Sequence, residues 1–290
     1  MDRRKFLLTQ AYLFSLLSTP LVASCNNFSE KKRVNQNESS SFELYNQLHF
    51  KNMPNPYRHG LKKITVIYAD QMWADRVKRN VLDENFLLKK YKGNTKQGDN
   101  SIICLDIEHW PYRRVSAKKF NESLNLYIET LDLFREIFPN SKIGFFEFSP
   151  TSYYPLYDQF AGMGVVNKKL LYNWEKEQDR LKPLTDKVDL FFPQLYSRWP
   201  NNPDGWESCA RIVLEKSREI ANGKPVIPFV WPQYWNDSEA IIAGEYWKRI
   251  LEVLYQFSDS AVFWSIYKTA PEWDGDFEWW LETKRFLRRG

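Results

Sequence analysis

Ile102-Ile103-Cys104-Leu105-Asp106-Ile107-Glu108-His109-Trp110-Pro111 reads as a strand that leaves an apolar interior and ends in two acids. A near-continuous apolar run is the mark of a strand covered on both faces, as in a parallel sheet. Side chains alternate along a strand, so Asp106 and Glu108 point the same way, about 6.6 Å apart along the chain. If Pro111 closes the strand, both acids stand at its C-terminal end. Two acids so placed repel each other's ionised forms, and one proton is retained to higher pH. Trp110 would add an apolar wall that lifts Glu108 further, keeping that acid protonated near neutral pH and able to donate to a leaving oxygen. The plain alternative is a solvated or salt-bridged Asp/Glu pair.

Similar runs recur at 64–70, 142–148, 188–196, 225–231 and 260–266. A seventh strand would come from 42–50 or from the stretch after Leu82. Helical stripes lie between them. Ser116 caps a helix carrying Phe120, Leu124, Tyr127, Leu131 and Phe134, with Pro139 past its end. Leu170, Leu171, Trp174 and Leu181 form another stripe. Asp204 caps a helix running to Gly223, and Asp237 or Ser238 caps one carrying Ile241, Ile242, Trp247 and Ile250. Strand–helix alternation without a Gly-rich first turn predicts an α/β protein, a distorted (β/α) TIM-type barrel of seven or eight units. In such a barrel the C-terminal strand ends carry the chemistry, and Asp106 and Glu108 would sit there.

The 290 residues suit one large domain behind a short leader. Residues 1–24, with Arg3, Arg4 and Lys5 before an apolar stretch, read as an export signal that resembles the twin-arginine type. Val22-Ala23-Ser24-Cys25 resembles a lipobox, which would lipidate Cys25 and anchor the protein in the cell envelope, periplasmic or at the outer surface. Residues 25–45 are a polar tether and 46–290 the barrel domain. Leader, tether and the C-terminal cluster Lys284, Arg285, Arg288 and Arg289 hold the basic excess behind a formal charge of +5. The body itself is slightly acidic, so nucleic acid is not an expected partner. Aromatic residues make up 17% of the chain, twelve of them Trp, which exceeds an ordinary core's demand and places some rings in a cleft.

Neighbouring acids on one strand are poorly arranged to flank a sugar bond from both sides, as the usual pair of glycosidase carboxylates does. They suit the exception, in which one acid protonates the leaving group and a substrate acetamide oxygen attacks. At these residues the chain resembles the hyaluronidase family of glycoside hydrolases. Asp106, Glu108, Trp110 and Pro111 match its Asp-x-Glu-x-Trp motif and the Pro that follows. The stretches 67–70, 192–196, 225–229 and 261–264 resemble other family strands in the same order. The resemblance implies Glu108 as general acid, Asp106 positioning the acetamide and Tyr196 polarising it. Tyr68, Asp70 and Trp264 would shape the sugar site, joined by Trp110 and Trp231. It also implies a retaining, substrate-assisted polysaccharide hydrolase.

Three features depart from the family. The Arg between Trp and Pro is absent, although Arg113 and Arg114 follow. Phe145-Phe146 stands where the family has a Tyr pair, for which Tyr153 or Tyr154 would compensate. Cysteine pairing has no counterpart. These departures weigh against hyaluronan itself and leave a non-catalytic glycan-binding surface lipoprotein as the alternative. Asp106, Glu108 and His109 could instead hold a divalent metal, but His109 should face away from both acids. No cofactor is expected, and the protein is expected to be a monomer.

Overall fold

The chain divides into two units, Met1–Ser39 and Ser40–Gly290. The computed structural model describes residues 42–73, 81–92, 101–150, 168–198, 200, 202–265 and 270–288. The leader, Cys25, Tyr153, Tyr154, Gly162 to Gly164, Trp199 and Tyr267 lie outside the described residues.

The strands are β1 (Glu43–Gln47), β2 (Lys62–Lys63), β3 (Thr65–Tyr68), β4 (Ile102–Asp106), β5 (Lys142–Phe145), β6 (Phe229–Val230), β7 (Gln233–Tyr234), β8 (Asp237–Ile241) and β9 (Ser260–Trp264). β1 pairs in parallel with β9 and with β2, and 62–68 runs on through β3 to pair with β4, which pairs with β5. Single parallel bridges then carry the ring through Phe146↔Phe192, Phe191↔Val226 and Gln194↔Phe229, and β6 closes onto β9. Among the described residues, seven parallel segments form this closed ring. The missing strand is therefore β1, inside 42–50. It starts at Glu43 and takes in residues that the sequence reading gave to the tether.

The ring is distorted where proline interrupts it. Pro193, Pro225 and Pro228 have no N–H to donate, so no full ladder forms there. Their carbonyls still accept, from the N–H groups of Phe229, Phe191 and Val262, each at 2.9 Å. Alternation sorts the side chains. Cys104 faces inward with Tyr45, Phe146, Phe192, Phe229 and Val262. Ile103, Leu105 and Ile107 face outward against the helices.

The helices are α1 (Glu84–Tyr91), α2 (Ala117–Ile137), α3 (Lys168–Asp179), α4 (Lys182–Thr185), α5 (Pro203–Ala221), α6 (Gly244–Phe257) and α7 (Glu278–Leu287). Ser116 caps α2 as expected, accepting from the Lys119 N–H at 3.3 Å. The stretch after Leu82 is helix α1, capped by Asp83. Two caps differ from expectation. Asn202, not Asp204, caps α5, because Pro203 occupies the first helical position and places Asn202 before it. Residues 237–241 form β8, antiparallel to β7, so α6 starts only at Gly244. The Glu278 carboxylate accepts from the Gly244 N–H at 2.7 Å and serves as its cap from another helix.

Gly144 decides how tightly the ring closes. A Cβ there would stand 2.4 Å from the Leu190 carbonyl oxygen on the next segment. Gly144→Ala should therefore destabilise the fold by about 1–3 kcal/mol, the cost of forcing a methyl into packed backbone. A urea titration reads this as a lower midpoint with unchanged slope; an unchanged midpoint would refute the close approach.

Candidate active site

β4 delivers Asp106 to the rim at its last residue, in register with Tyr68 on β3. Tyr68 Oη accepts from Trp264 Nε1 at 3.1 Å, joining the ends of β3 and β9. The backbone between the acids is held from outside the barrel. Tyr127 of α2, almost wholly buried, donates to the Ile107 carbonyl at 2.7 Å. Asp106 is half-buried, and Glu108 reaches further out and is exposed.

A third carboxylate joins them. Glu147 follows β5, and simple alternation from Phe146, which faces inward, would turn it outward toward the helices. Its φ of 53° breaks that alternation. A non-glycine residue in the left-handed region costs energy and persists only where its surroundings hold it. Here the Glu147 N–H donates to Phe192 O at 2.9 Å, and its carbonyl accepts from Tyr112 Oη at 3.1 Å. Its carboxylate meets Arg113 at 2.8 Å. Arg113 thus brings a guanidinium to the site, two positions beyond Pro111. Sequence reasoning overlooked Glu147. The available signal was one acid in the apolar run Phe145-Phe146-Glu147-Phe148, the pattern that singled out Asp106.

Electrostatics follow from this grouping. Burial, then the charges of Glu108, Glu147 and Asp70, push the Asp106 carboxyl up to about 8. Glu108 is also raised, by burial and then by Glu147, with Arg113 pulling it back. Both acids are raised, and the deeper Asp106 is the one that burial most favours as the neutral form, where the sequence reading expected Glu108. The deeper acid loses more solvation, which disfavours its charged form. Burial and the nearby acids also push the Tyr196 hydroxyl well up, Asp106 foremost among those charges, so it stays a neutral donor.

Tyr196 is held between two indoles. Trp264 stacks at 5.5 Å and 19°, Trp235 at 6.1 Å and 24°, and Trp231 meets its edge at 5.5 Å. Packed among these rings, Tyr196 is buried. Asp70 lies exposed in the short turn after β3.

Trp110 is the one proposed contact residue that the structure removes from the site. It is 1% exposed and packs against Trp73, His109 and Tyr127 in the layer between sheet and helices. Neither Glu108 nor a substrate gains a wall from it, because β4 ends at Asp106 and alternation no longer sets the later side chains. His109 packs edge-on against Trp73 at 5.2 Å. Among the described residues no group of three His, Cys, Asp or Glu could hold a metal ion. Cys104 and Cys209 are both buried.

No protein-family model and no curated protein matches the sequence. Two solved structures are similar in fold. Bee venom hyaluronidase matches at TM-score 0.59 with 11% identity, over 86% of this chain and 98% of that one. Bee venom hyaluronidase in complex with a hyaluronic acid tetramer matches at 0.60 with 12% identity, over 86% and 95%. Identity this low shows a shared distorted TIM barrel, and function has to be argued from the site.

The raised Asp106 carries a stability signature. The folded protein keeps this proton up to about pH 8, whereas the unfolded chain releases it near 3.8. The wild type therefore loses stability as pH rises through that window. Asp106→Asn is neutral in both states and should be the more stable by about 1–3 kcal/mol at pH 8, allowing for solvent at the mouth. Calorimetric melting at pH 5 and pH 8 tests this; parallel curves for the two proteins would show that Asp106 is not desolvated.

Proposed function

We propose that the protein is a glycoside hydrolase acting on an N-acetylhexosamine-containing polysaccharide. The observation that carries this reading is the pair of acids at one barrel rim, Asp106 half-buried and Glu108 further out, both raised and both coupled to the Tyr196 hydroxyl. Substrate binding decides which acid holds the shared proton. An acetamide N–H donating to Asp106 favours its ionised form, and the new charge raises Glu108, which takes up the proton. Glu108 then protonates the glycosidic oxygen as the C1–O bond breaks, and the acetamide oxygen bonds to C1. Tyr196 donates to the acetamide. Water, losing its proton to Glu108, opens the cyclic intermediate and the sugar keeps its configuration.

Glu147 does not serve as an opposing nucleophile in this scheme, because its carboxylate is committed to Arg113. Asp70, Glu108 and Glu147 outweigh the charge of Arg113, which favours a neutral glycan over one bearing a uronate on every second sugar. A glycan-binding protein without turnover is the second reading. It is favoured by Phe146, which lies in the barrel interior and supplies no hydroxyl. The twin-arginine-like leader and the lipobox-like stretch ending at Cys25 support a further proposal, that the protein is exported and lipid-anchored. Cys25→Ser should then move it from the membrane to the soluble fraction of cells.

Assay of N-acetylated polysaccharides with wild type and Glu108→Gln tests the reaction. Loss of about 10²–10⁴-fold in kcat is expected for the variant, with retained configuration in the wild-type product. Inversion, or cleavage of sugars lacking the acetamide, would rule out the assisted mechanism. Binding by both proteins with no cleavage would favour the second reading. Glu147→Gln removes a charge that raises Glu108 and frees Arg113 to lower it. The alkaline limb of the kcat–pH profile should move to lower pH, and Asp106→Asn should move it the same way.

A further inference from the structure

Trp235 stands apart from the other rings of the mouth. Trp231 is 4% exposed and Tyr196 6%, whereas Trp235 is 44% exposed. It is the one exposed tryptophan among the described residues. A single exposed ring is ordinary on a protein surface; what sets Trp235 apart is that it packs near-parallel to Tyr196 at 6.1 Å, beside the rim acids. The fold holds it in place rather than letting it swing. It occupies the two-residue tip of the β7–β8 hairpin, where Tyr234 pairs with Asp237. Its N–H donates to Ser197 O at 2.8 Å, fixing the tip to the segment that carries Tyr196. At the hairpin base, Ile242 N–H donates to Pro232 O at 2.9 Å, and Trp231 Nε1 donates to the fully buried Gln233.

Trp264, Tyr196 and Trp235 form a graded stack, from the ring bonded to Tyr68, through the ring coupled to Asp106, to the ring that reaches water. A flat, rigid, half-exposed indole at the end of such a stack suits the apolar C–H face of a pyranose. We propose that Trp235 forms a second sugar-binding position, outside the pocket of the reacting residue, for a neighbouring unit of a β-linked N-acetylhexosamine chain. This rests on the functional reading above and extends it. The preferred ligand is then a chain long enough to fill both positions, rather than a single N-acetylhexosamine unit.

Binding of N-acetylglucosamine, of its oligomers up to the hexasaccharide and of hyaluronan oligosaccharides tests this with the full chain carrying Glu108→Gln. Calorimetric titration should show affinity rising with length. Adding Trp235→Ala should remove about tenfold of the gain for the oligosaccharides and leave the monosaccharide unchanged. Trp235→Phe should restore part of it, and Tyr172→Ala, an exposed ring on α3, should change nothing. Equal affinity at every length with and without Trp235 would overturn the subsite while the glycan reading stands. A loss at all lengths alike would also overturn it, assigning Trp235 to the shape of the pocket. No binding of any oligosaccharide by either protein would sink both proposals together.

Discussion

A carboxyl group withdrawn from water at the rim of a closed barrel is the constraint on which the candidate site depends. Burying an acid is unfavourable, and the protein meets the cost by keeping Asp106 protonated rather than by pairing it with a cation. That choice demands a rigid wall, since a mobile one would let water back in. The wall is built from the strand ends themselves: Tyr68 tied to Trp264, Tyr196 clamped between indoles, and Ile107 pinned from behind by Tyr127. The apolar ring below, from Cys104 to Phe229, holds those strand ends in register.

The strain at Glu147 belongs to the same design. A left-handed glutamate costs of order 1–3 kcal/mol, and an ordinary β residue there would avoid it. Only the unusual backbone brings the Glu147 carboxylate to Arg113 and near the two rim acids. The anion–cation pair then acts on Glu108 from both signs, Glu147 raising it and Arg113 lowering it. Removing the anion shifts both influences in one direction. Such a pair tunes an acid more finely than burial alone, because each member partly cancels the other.

What the sequence disclosed and what it hid divide along one physical line. Apolar runs in covered strands are local, so the barrel could be read from six such runs alternating with helical stripes, and the place of Asp106 at a strand end from Ile102 to Asp106. The seventh strand was harder, since Glu43–Gln47 is polar in part and its pairing with β9 is set by residues two hundred positions away. Alternation fails as soon as a strand stops or a φ turns positive. Trp110 lies beyond the end of β4 and packs outward, and Glu147 lies at a positive φ and turns inward. The β7–β8 hairpin was hidden because Ile241 and Ile242 look like the start of an amphipathic stripe. The polar residues Asn236, Asp237 and Ser238 were the better signal, a turn leading into β8 rather than a helix cap.

The aromatic surplus also takes on a different meaning once placed. Phe146, Phe192 and Phe229 fill the barrel, while Trp247, Trp273, Trp279 and Phe50 pack into one another beneath α7 and the loop before it. Those rings are structure. A narrow barrel of seven segments has little room for branched side chains in layers, and flat rings meeting edge to face fill it with few rotatable bonds. The same economy reaches the rim. Tyr196 packs against Trp231, Trp235 and Trp264, so its ring is ordered by the fold itself, and a ligand meeting the hydroxyl would spend little free energy on ordering it.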